Sequence, residues 1–205
     1  MSEHHDHSHA VVTEENSKKL MVALGLTTTF LIVEVVAAFI TQSLALLSDA
    51  AHMFTDVAAL AIALAAIKIG KKAADDKRTF GYQRFEILAA LFNAVMLFVV
   101  AIYIVYEAYQ RFTNPAEIQS VGMMIVAVIG LVINLISMKI LSASAEGSLN
   151  VKGAYLEVLS DALGSIGVII GGVVIYFTQW MWVDTLIAVL IGFWVLPRTW
   201  ALLKQ

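Results

Sequence analysis

The chain predicts an all-α polytopic membrane protein, a bundle of six transmembrane helices. Three observations carry that prediction. Hydrophobic residues fill 60% of the 205 positions, and mean hydropathy is +0.83, well above a soluble domain. Apolar runs of bilayer-spanning length recur along the chain. The basic residues collect between alternate runs.

The runs fall at 19–41, 45–68, 86–109, 118–141, 154–178 and 183–204. Each has the roughly 20 residues a helix needs to cross hydrocarbon at about 1.5 Å per residue. The first and second are joined by the short turn Thr41-Gln42-Ser43. The first carries Glu34, and the second carries Asp49, His52 and Asp56. The fourth carries Asn134, which reads as a hydrogen-bonding group within the bundle. The fifth carries Glu157 and Asp161, with Gly164, Gly167 and Gly171 along one side. Interior glycines do not break these runs, because bilayer helices tolerate them and small residues let backbones approach.

Of the 13 lysines and arginines, all but Arg111 fall on one side of such a bundle. The positive-inside rule makes that side the cytoplasm, and an even number of spans puts both termini there. Residues 1–17 form a polar tail with no basic segment leading into an apolar one, so a cleaved signal peptide is not expected. The tail holds His4, His5, His7 and His9. It reads equally as a loose metal chelator and as a solvated segment. Residues 18–205 form the transmembrane domain.

The chemistry lies in spans two and five. Ionisable residues at membrane depth are expensive and point to function. Residues four apart on a helix share a face, so His52 aligns with Asp56 and Glu157 with Asp161. On facing helices these supply one imidazole and three carboxylates, a tetrahedral shell suited to Zn²⁺, Co²⁺ or Cd²⁺. There is no cysteine, so thiolate chemistry is excluded. A lone intramembrane histidine reads equally well as a hydrogen-bond partner for a neighbouring helix. Two pairs at matched spacing favour a metal site. Asp49 and Glu34 are candidates for supporting His52 or lining the path of the ion.

With His52 neutral, the empty site would hold three negative charges in a low-dielectric interior, so it is expected to take up protons. Metal binding releases protons from its ligands. Metal and protons therefore compete for the same atoms, the minimal machinery of an antiporter. A membrane-embedded metal sensor and a proton-coupled exporter of organic cations are the alternatives. No nucleophile or nucleotide motif supports an enzyme. No resident cofactor and no nucleic-acid partner is expected.

Three segments resemble a known family, the cation diffusion facilitators, in its cobalt–zinc–cadmium resistance branch. They are Ser43 to His52 with Asp56, Phe80 to Ala90, and Gly153 to Asp161. The resemblance implies six transmembrane helices, cytoplasmic termini, a homodimer, and efflux of divalent metal across the cell membrane in exchange for protons. It implies ligands at His52, Asp56, Glu157 and Asp161. Zinc-selective relatives often carry histidine where this chain has Glu157, so the site is more acidic than theirs. Family members usually continue into a cytoplasmic metal-binding domain after the sixth helix. The chain ends at Gln205 without one, so it is expected to be truncated or a short member. The loop from Lys71 to Arg78 has no histidine, and no second metal site is expected there.

Overall fold

The computed structural model describes residues 14–70, 81–114, 116–145 and 149–203. The histidines of the tail and the loop from Lys71 to Arg78 lie outside the described residues. Among the described residues six helices follow one another: α1 Glu14–Thr41, α2 Leu44–Gly70, α3 Gly81–Thr113, α4 Ser120–Ala145, α5 Leu149–Thr178 and α6 Trp182–Leu203. Among the described residues there is no strand.

The helices match the apolar runs in order. Described stretches of three of them are long and apolar enough to cross a bilayer: Lys18–Thr41, Ser120–Ser142 and Val151–Thr178. α6 has a shorter apolar stretch, Trp182–Phe193. α5 starts at Leu149 rather than near 154, and α3 reaches Thr113 rather than 109. Backbone hydrogen bonding carries a helix past the end of its apolar run into water, so hydropathy marks the hydrocarbon-facing part and not the helix end. α3 stops two residues before Pro115, where the helical conformation becomes unfavourable.

The turn between α1 and α2 has a defined geometry. Gln42 takes a left-handed conformation, φ 56°, and the Ser43 amide donates to Ala38 O at 3.1 Å. This six-to-one bond closes a helix end in the way glycine usually does. Here the Gln42 side chain adds a donor, Nε2 to Phe39 O at 2.8 Å. Gln179 ends α5 in the same conformation, φ 57°.

α1, α2, α4 and α5 pack around a common interior, and α3 and α6 lean on α2. Two apolar clusters lie toward opposite ends of the bundle. One joins Ala38, Leu46, Met123 and Val168, and the other joins Leu20, Leu141, Val151 and Val158. Between them, beside a third apolar cluster of Phe30, Leu31, Ala50 and Met53, the interior holds polar groups: Glu34, Asp49, His52, Asn134 and Asp161 are all buried. Large apolar side chains meanwhile face outward, among them Phe39, Phe98, Ile125 and Phe177. An apolar outer face around buried ionisable groups suits lipid. Trp180 and Trp182 stack with ring centres 5.8 Å apart at the α5–α6 connection, as aromatic rings do at a membrane–water boundary.

Glycines set the close approaches. A Cβ at Gly130 of α4 would collide with the ring of Phe30 of α1, itself 1% exposed. Gly130→Ala is therefore expected to destabilise the fold by about 1–3 kcal/mol, because a buried aromatic ring has nowhere to go. A detergent-solubilised variant that melts with the wild type would contradict this packing. The span-five glycines do not serve one neighbour. Gly164 faces Asp49 of α2, Gly171 faces Ile187 of α6, and Gly167 has open space at its Cβ position.

Candidate metal centre

His52 and Asp56 sit one turn apart on α2, with Asp161 opposite on α5. His52 Nε2 is 3.5 Å from Asp56 Oδ2 and 3.6 Å from Asp161 Oδ1. One donor atom from each of the three residues lies within 4.8 Å of the others. His52 and Asp161 are buried and Asp56 is half-buried. Asp161 Oδ1 accepts no hydrogen bond among the described residues.

Those separations are informative. Ligand atoms at about 2.0–2.1 Å around a tetrahedral ion stand about 3.3–3.4 Å from one another. The observed 3.5 and 3.6 Å lie close to that edge length and beyond a good hydrogen bond. Nitrogen and carboxylate oxygen together suit zinc and its neighbours. The residues present therefore fit a divalent cation.

Of the four residues expected as ligands, the structure gathers three. Glu157 lies one turn before Asp161 on α5, half-buried with its Oε2 covered, and stands outside the group. Asp49 and Glu34, expected near His52, are both buried in the same interior. Asn134 is buried on α4, and neither of its side-chain polar atoms has a hydrogen-bond partner among the described residues.

A second polar cluster escaped the sequence reading. At the other end of α2, Asp184 of α6 accepts from Ser43 Oγ at 2.6 Å, Leu44 N at 2.6 Å and Ala45 N at 3.2 Å. Its carboxylate thus caps α2, where unsatisfied amides and the helix dipole favour an anion. Arg111 at the end of α3 reaches the same carboxylate at 3.4 Å, donates to Gln42 O at 2.7 Å and pairs with Glu107 at 3.2 Å. Arg111 is therefore bound into a latch that ties α2, α3 and α6. An acid at the very start of an apolar run was the available signal.

An all-helical membrane bundle with a buried nitrogen-and-oxygen cluster shared by two helices defines a class, that of intramembrane divalent-cation proteins. The family model for the cation efflux transmembrane domain matches residues 20–205. The chain belongs to that family, the cation diffusion facilitators, and to its cobalt–zinc–cadmium branch. It is 65% identical over 201 residues to the metal cation efflux system protein CzcD of Cupriavidus metallidurans, covering 98% of this chain and 63% of that protein. It is 43% identical to the cadmium, cobalt and zinc/H(+)-K(+) antiporter of Bacillus velezensis, covering 98% and 64%. It is 42% identical to the zinc transporter ZitB of Escherichia coli, covering 98% and 66%. The chain thus spans a little under two thirds of the length of these relatives. By name they are efflux proteins, antiporters and transporters, not enzymes.

Proposed function

We propose that the chain is the six-span membrane part of an exporter of divalent metal cations, moving Zn²⁺, and also Co²⁺ and Cd²⁺, out of the cell against protons. The observation that carries the reading is the gathering of His52, Asp56 and Asp161 from two helices inside an apolar bundle. The relatives' names, metal cation efflux, zinc transport and antiport with protons, agree with it.

His52, Asp56 and Asp161 hold the ion, and Glu157 completes the set from the next turn of α5. A site with one ligand pair on each of two helices can pass its ion along by shifting one helix against the other. Protons neutralise the carboxylates when the ion leaves, because three bare charges in a dry interior are costly. Both termini lie on the basic, cytoplasmic side, and the exporter is a homodimer, as in the family it resembles.

The test is flux. Purified protein in sealed liposomes should accumulate Zn²⁺ when the lumen is acidic, and dissipating the pH gradient should stop it. Metal binding with no flux under any gradient would favour the sensor and sink the exporter.

A further inference from the structure

The inner face of α4 breaks its own pattern at one height. Met123, Ala127 and Leu141 are buried apolar residues that share this face, and between them on the same face stand Asn134 and Ser137. Asn134 is 1% exposed and Ser137 0%. Asn134 Oδ1, Asn134 Nδ2 and Ser137 Oγ are all buried with no hydrogen-bond partner among the described residues. A buried amide without partners is costly, and leucine offers the same branching without the polar atoms. Packing therefore gives no reason to keep an asparagine here.

The register of the bundle says what stands opposite. α4 and α5 are the most extensively packed pair of helices. Toward one end, Met123 and Ala127 of α4 cluster with Val168 of α5. Toward the other, Leu141 of α4 clusters with Ala154 of α5. Asn134 stands midway between Ala127 and Leu141, and Asp161 stands midway between Ala154 and Val168. Gly172 of α5, which lies against Met124 and the carbonyl oxygen of Ser120, fixes the same register. Counting inward from that contact at about 1.5 Å per residue brings Asn134 level with Asp161, to within one residue. The orphan amide is thus at the height of the metal centre, on the helix packed behind its α5 member.

We propose that Asn134 is a positioning residue for the metal centre: its amide N–H donates to the Asp161 carboxylate, directly or through one water, when a divalent cation draws that carboxylate into place. The inference rests on the exporter reading. Asp161 Oδ1 already lies 3.6 Å from His52 Nε2, at the spacing of two ligands of one ion. A carboxylate that meets a cation through one oxygen can still accept a hydrogen bond, and ligating carboxylates are held by such bonds from outside the ligand set. An asparagine amide offers two N–H donors and no charge. It can therefore orient Asp161 toward His52 and Asp56 without adding a positive charge that would oppose the cation.

The test separates binding from folding. Asn134→Leu keeps the branching of the side chain and removes its donors. The purified variant in detergent should bind Cd²⁺ about 10- to 100-fold more weakly than the wild type. Without added metal it should melt at or above the wild-type temperature, because an unsatisfied buried amide is gone. A residue that only holds helices together would give the reverse pattern. If the leucine variant does not fold, Asn134→Ala reads the same loss of affinity. A spectroscopic measure goes with it. In the infrared difference spectrum on Cd²⁺ binding, the carboxylate stretching band should move between wild type and variant, because a bound carboxylate has lost a donor. Wild-type Cd²⁺ affinity in a folded variant, or an unmoved carboxylate band, overturns the proposal and leaves the centre standing. Complete loss of Cd²⁺ binding in a folded variant also overturns it, making Asn134 a ligand itself. A wild type that binds no Cd²⁺ overturns the exporter reading and the role of Asn134 together.

Discussion

Asp161→Ala should abolish metal transport and weaken Cd²⁺ binding by more than about a hundredfold, the upper end of what losing even an outer supporting group costs a metal site. The expected stability change runs the opposite way. Asp161 is 1% exposed and its Oδ1 accepts no hydrogen bond among the described residues. Removing a buried acid with an unsatisfied oxygen relieves its desolvation cost. The cation-free variant should therefore melt at or above the wild-type temperature. A residue kept for packing or hydrogen bonding would give the reverse pattern, lower stability with binding preserved. Asp56→Ala tests the same centre from α2 and should lose binding too. Wild-type Cd²⁺ affinity in folded Asp161→Ala would remove Asp161 from the ligand set and leave the centre without its α5 member.

Much of this was legible in the sequence because helical periodicity is a local rule. The spacing of His52 and Asp56 fixes their common face whatever surrounds them. Their meeting with Asp161 needed only that α2 and α5 be neighbours. Periodicity gives direction around a helix axis but not reach toward a point. Glu157 shares a face with Asp161 yet lies outside the gathered group. The same holds for Glu34 and Asp49. Both were visible as acids at membrane depth, but where each ends up in the interior depends on how α1 lies along α2. That register is set by the Gln42 turn that joins the two helices. The hydrophobic runs located the helices and missed their ends, because hydropathy reports the solvent and not the hydrogen bonding.

Least legible was the Asp184 latch, whose partners on α2 lie about 140 residues away in sequence. Asp184→Ala is expected to be among the most destabilising single changes in this chain, by about 3–5 kcal/mol, the usual effect of breaking a buried ion pair from one side. The carboxylate is 0% exposed and Arg111 is 9% exposed, so the guanidinium would be left mostly out of water without its buried counter-charge. At the same stroke Leu44 and Ala45 lose their acceptor and the α2 dipole loses its anion. Asp184→Asn keeps one acceptor oxygen for Ser43 and the α2 amides but removes the charge that Arg111 meets. It should fall between the wild type and alanine. His52 lies two turns further along α2, about 12 Å from the cap, so Cd²⁺ affinity of the fraction that stays folded should change far less than stability. Thermal unfolding in detergent, read beside Cd²⁺ titration, separates the two effects. If Asp184→Ala melts with the wild type, the latch does not hold α2. If it keeps its stability but loses Cd²⁺, Asp184 belongs to the path of the ion instead.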